Sequence, residues 1–126
     1  MKKAYDRTTA RQLVPLLESI TREVVDRLHE VRLLQGKLAL LEQENQRVGL
    51  SAEKSGEFLE LRAVVANHRR QIRLAMKELE RLGCVVDEDN PLLIFIPGTD
   101  GNIDHGFQWD PSDPTLRRAA TGTAVS

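Results

Sequence analysis

Residues 57–83 read EFLELRAVVANHRRQIRLAMKELERLG, and this stretch decides the fold. Phe58, Leu61, Val65, His68, Ile72, Ala75, Leu79 and Leu82 recur at alternating steps of three and four, and all but His68 are apolar. A repeat of about 3.5 residues places them on one stripe of a helix that packs on a neighbour with coiled-coil-like interdigitation. Gly83 follows the last apolar position, where glycine takes the left-handed conformation that ends a helix without a Cβ penalty. The spacing predicts a helix from about 57 to 82.

Upstream, the same periodicity predicts a longer helix over about 9–48. Ala10, Leu13, Leu17, Ile20, Val24, Val31, Leu34, Leu38, Leu41 and Val48 keep the track, with Arg27 and Asn45 as its polar members. Thr9 and Gln12 have capping-box spacing, and Pro15 should bend the first turn against the rest. Between the helices, Leu50 to Gly56 is a short polar loop, so the helices are antiparallel neighbours. In a hairpin symmetric about residue 53, His68 lies level with Leu38, and Arg27 reaches toward Glu78.

Downstream the period changes. Cys84–Val86, Leu92–Ile96 and Ile103–Trp109 are short apolar segments set apart by Asp87-Glu88-Asp89-Asn90-Pro91 and Pro97-Gly98-Thr99-Asp100-Gly101-Asn102, both rich in turn residues. Ile103, His105, Phe107 and Trp109 alternate with polar or small residues, as in a half-buried strand. The expectation is a small antiparallel β-meander over 84–109. Residues 1–114 then form a single domain, with 115–126 as a flexible tail. The first helix outruns the second by roughly 20 Å at about 1.5 Å per residue. The meander should therefore cover Leu13, Leu16, Leu17 and Ile20. The class is mainly α: a long helical hairpin followed by a small β-region.

Composition narrows the functional classes. Of 126 residues 29% are charged, yet the net charge is −1, so the whole molecule carries no bias toward nucleic acid or membrane. The longest apolar run, Leu92 to Ile96, is far too short to span a bilayer. The single cysteine, Cys84, fits a reducing compartment, and no apolar leader segment follows Met1-Lys2-Lys3. Together these make the cytoplasm the expected compartment.

Each helix carries a second apolar stripe. Val25, His29, Leu33, Gly36 and Leu40 form one; Leu59, Ala63, Ala66 and Leu74, interrupted by Arg70, form the other. Glycine inside a helix costs about 1 kcal/mol against alanine. Gly36 therefore marks either close approach by another helix or a tolerated residue on a solvated face. Close approach implies a homodimer whose two hairpins make a four-helix bundle, and Val25 to Leu40 is its candidate seam.

Other candidate sites carry less. Arg70, Arg73, Lys77 and Arg81 form a basic face on the second helix that could track phosphates. Glu78 and Glu80 lie among them, no aromatic residue stands by to stack on bases, and a solvated face explains them equally. Asp100-Gly101-Asn102-Ile103-Asp104 spaces its oxygens like the start of a calcium loop, but His105 stands where a glycine belongs and Pro111 where the closing glutamate belongs. A hairpin turn is the other reading. Seven acids and no lysine or arginine lie between Cys84 and Leu116. The three histidines have no cysteine or histidine at zinc-ligand spacing. His68 reads as a packed core histidine, and Asp104 beside His105 would point to the opposite face of a strand. No catalytic constellation, cofactor or small-molecule ligand is expected. The function classes left are an interaction or scaffold protein, a nucleic-acid-associated protein using the basic face, and a protein that binds divalent cations on its acidic turns.

Taken in order, Thr9 and Pro15, Leu82-Gly83-Cys84, Asp100-Gly101, and Trp109 with Asp113-Pro114 resemble the pattern of a bacterial family catalogued as domain of unknown function 2203. The resemblance covers residues 7 to 114. It implies the hairpin-plus-β fold and a bacterial origin, and it brings no activity. The family's Trp-His pair and glycine-arginine-rich ending have no counterpart after Pro114.

Overall fold

Asp6 starts the first helix. Its carboxylate accepts from the Thr9 amide at 2.8 Å, while the Thr9 hydroxyl accepts from the Asp6 amide at 2.9 Å. This reciprocal pair satisfies amides that the first turn leaves unpaired, so the cap is Asp6 with Thr9 rather than Thr9 with Gln12. In the computed structural model, which describes residues 3–87, 89–90 and 92–119, helix α1 spans Arg7–Val48 and runs through Pro15 without interruption. It ends at Gly49, whose φ is 81° and whose amide bonds back to the Asn45 carbonyl at 3.0 Å.

Helix α2 spans Ala52–Arg81 and begins five residues earlier than the periodicity implied. Ser51 explains the difference: its hydroxyl accepts from the Lys54 amide at 3.2 Å, an N-cap that the polar sequence around it conceals. Gly56 is thus inside the helix. At the other end, Gly83 has φ 81°, its amide bonds to Glu80, and the Cys84 amide bonds to Leu79 at 3.0 Å. These are the two bonds of a Schellman stop.

Four short strands follow in order β1-β2-β3-β4, every neighbour antiparallel. Strand β1 is Val85–Val86, β2 is Ile94–Ile96, β3 is Phe107–Asp110 and β4 is Asp113–Arg118. Val85 opposes Phe95, Ile94 opposes Trp109, and Phe107 opposes Arg118. Two expectations need correction. Ile103–His105 is a turn of 3-10 helix, because Asn102 caps it by accepting from the Asp104 amide. Residues 115–118, assigned above to a tail, belong to β4. Asp110-Pro111-Ser112-Asp113 is a tight turn in which the Asp110 carboxylate accepts from the Ser112 amide at 2.8 Å and from its hydroxyl at 2.7 Å. The remainder of that tail, from residue 120, lies outside the described residues.

The chain divides into two compact units. One holds the residues up to Arg22 and those from Met76 onward. Its core is Ala10, Leu17, Ile20, Leu79, Cys84, Ile94, Ile96, Trp109 and Leu116. The start of α1 and the sheet therefore share one core, although Leu16 stays 41% exposed rather than covered. The other unit, Glu23–Ala75, is the free part of the hairpin, with Val24, Val31, Val65 and Ala75 buried between its two helices.

Candidate functional site

Within the Glu23–Ala75 unit, the seam contains a polar contact. Arg27 bonds to Glu23 one turn back at 3.0 Å and reaches Nδ1 of His68 at 3.1 Å. Glu78 pairs with Arg81 at 3.3 Å, so the pairing expected between Arg27 and Glu78 is not the one formed. Near the loop, Lys54 places its ammonium 2.7 Å from both oxygens of Glu44.

The candidate seam residues Val25, His29, Leu33, Gly36 and Leu40 lie on the far side of α1 from Val24 and Val31, as about 100° per residue requires. All five are exposed. Leu33 is 52% and Leu40 67% accessible, and a Cβ on Gly36 would meet nothing within 4 Å. On α2, Leu59 and Leu74 are 62% and 51% accessible, again away from the buried Val65 and Ala75. Beside Leu40 a hollow of about 460 Å³ is lined by Leu40, Leu41, Gln43, Glu44, Arg47 and Lys54.

The basic residues of α2 are placed as follows. Arg70 donates to Asn67 at 3.2 Å, Arg81 pairs with Glu78, and Arg73 and Lys77 are exposed.

The unit that contains the sheet has its own polar cluster. Tyr5 donates its hydroxyl to the Leu82 carbonyl at 2.7 Å and its amide to the Gly98 carbonyl at 3.3 Å. Burial raises the Tyr5 phenol, and the neighbouring Cys84 adds to the effect. Cys84 itself is buried, and loss of water pushes its thiol up to about 11; a thiol so placed is unreactive. In the following turn, Asp100 accepts from the Asn102 amide at 2.9 Å and lies 2.6 Å from Nδ1 of His105. Asp104 is not the partner of His105. The 3-10 turn, which replaces the expected strand, swings His105 back toward Asp100 instead. The His105 bond holds the Asp100 carboxyl below its usual range, and the same bond raises the imidazole. Of the oxygens spaced like a calcium loop, those of Asp100 and Asn102 are engaged in turn hydrogen bonds.

A cleft of about 480 Å³ opens beside this turn, with Tyr5, Arg7, His105, Phe107 and Arg118 among its lining. Asp6 and Asp104 line it too, so its charges balance. Sequence reading did not assemble it, because its members come from the start of α1, the 3-10 turn and β4. Gly98 and Gly106 let the backbones there approach: a Cβ on Gly106 would fall 1.8 Å from the Ile96 carbonyl oxygen.

Fold and sites together define a helical-hairpin protein whose two packed helices are followed by a small four-stranded antiparallel sheet. The chain belongs to the family described as uncharacterized conserved protein (DUF2203), whose model matches residues 3–117. The match runs on to residue 117 within β4, three residues past the resemblance read from sequence. No curated protein matches the chain. No solved structure matches it either.

Proposed function

We propose that this protein is a homo-oligomeric helical scaffold, in which the outer apolar face of the hairpin joins two copies into an assembly of four helices. One observation carries the reading: Leu33 and Leu40 stand 52% and 67% accessible on either side of Gly36, on a helix face that nothing among the described residues covers. Monomers seldom leave large aliphatic side chains in a contiguous exposed row. A single cysteine, buried as a thiol, supports the cytoplasm as its compartment. Among the described residues no helix is long and apolar enough to cross a membrane.

Light scattering coupled to size exclusion tests the proposal. The expected mass at micromolar concentration is twice the chain mass of 14.2 kDa. A mass of 14.2 kDa throughout that range would remove it.

A further inference from the structure

We infer that two copies pair antiparallel along the outer face of α1, about a two-fold axis between Gly36 and Lys37. The inference rests on the homo-oligomeric reading and specifies its contact. The two outer stripes of one hairpin point away from each other, since each lies opposite the seam that joins α1 to α2. A single partner copy can therefore cover one stripe only. The α1 stripe has the larger apolar side chains at its centre, whereas the α2 stripe holds Ala63 and Ala66 and is interrupted by Arg70, which bonds to Asn67.

Register follows from self-complementarity, because an isologous contact must satisfy both copies with one set of residues. An antiparallel copy centred between Gly36 and Lys37 sets Leu33 against the partner's Leu40 and Asp26 against the partner's Arg47. The hollow beside Leu40 receives the partner's segment from Asp26 to Leu33, so it is filled by an aliphatic side chain and an acid facing Arg47. Gly36 falls beside the axis, where two backbones come closest. This explains a residue that weakens a helix and that the chain's own packing does not require. A parallel pairing would set Asp26 against Asp26 and Arg47 against Arg47, like charges in both places.

Variants of the full chain that each add one cysteine test the contact under mild oxidation, with the wild type as the background because its own Cys84 is buried. Gly36→Cys is expected to give a disulfide-linked dimer on a non-reducing gel, and Val25→Cys is expected to give none. Leu33→Cys mixed with Leu40→Cys is expected to cross-link where Leu40→Cys alone does not. The mixed pair keeps the test open if Gly36→Cys disturbs the helix. Cross-linking of Val25→Cys would overturn the antiparallel register. A dimer by light scattering with no cross-link from Gly36→Cys or from the mixed pair would overturn the α1 contact and leave the scaffold reading standing. A monomer would overturn both.

Discussion

Arg27 and His68 meet across the hairpin, a guanidinium nitrogen of the first lying 3.1 Å from Nδ1 of the second. Arginine can only donate, so Nδ1 must accept and the imidazole proton resides on Nε2. The contact puts Arg27 and His68 at one level of the hairpin, a different stagger from the one symmetric about residue 53, and Ser51 caps α2 after a short loop. Polar residues on an apolar seam trade stability for a unique pairing.

Removing this pair should show coupling. Arg27→Met and His68→Leu are each expected to lower stability, and a double-mutant cycle should return an interaction of about 0.5–1.5 kcal/mol. Nitrogen NMR of the imidazole should show Nδ1 as the unprotonated ring nitrogen. Additivity of the two substitutions would mean that the contact does not set the register.

Gly83 and Gly49 share a φ of 81°, but their surroundings differ. A Cβ on Gly83 would come 2.8 Å from the Lys3 Cβ, whereas one on Gly49 meets nothing within 4 Å. Gly49→Ala should cost about 1–2 kcal/mol, from the left-handed backbone alone. Gly83→Ala should cost more, because the Lys3 side chain and the segment that carries it must also move. Urea melts of the two variants make the comparison, and equal losses would contradict the packing.

The Asp100–His105 pair gives a pH signature. The imidazole is raised, so its contribution is fully present below about pH 6.5 and is lost as pH rises through the higher folded value. The carboxyl is lowered, so its contribution is present above about pH 3.8 and is lost as pH falls through the lower folded value. Stability from the pair is therefore greatest between these limits. Proton NMR should find His105 titrating above an ordinary histidine, and Asp100→Asn should bring it down. An unshifted His105 would show that the pair does not form.

Trp109 is 1% exposed and its indole nitrogen has no hydrogen-bond partner among the described residues. As the only tryptophan, it should emit in the blue when folded and move red on unfolding. Trp109→Ala should cost about 3–5 kcal/mol. Trp109→Phe should cost less, since it keeps a ring and removes the unpaired N–H. Deleting residues 115–126 removes most of β4 and the buried Leu116, so it should lower the melting temperature and expose the indole. Unchanged emission and stability would mean that β4 is dispensable.

Sequence alone determined the hairpin, its glycine stop at Gly83 and the apolar segments that became β1 and β2. Periodicity records burial on one side of an element, and a cap such as Gly83 acts through its own backbone and its nearest neighbours. The second stripe from Val25 to Leu40 was legible as apolar spacing alone, and the structure leaves it exposed. Other features were decided by which distant segments meet. Asp6 rather than Thr9 caps α1 because the carboxylate and hydroxyl serve each other's amides. His68 faces Arg27 across a hairpin whose loop is shorter than its polar sequence implied. Pro111 and Ser112 turn the chain into β4, where residues 115 to 118 carry only one large apolar residue, Leu116, and so gave no periodic signal. Gly98 is a turn glycine in the sequence and Gly106 a small residue of the expected strand, and only the folded chain brings their backbones close enough to exclude a side chain. Tertiary structure set the register and the turn around His105, because both depend on contacts between residues far apart in the chain or on hydrogen bonds that periodicity does not encode.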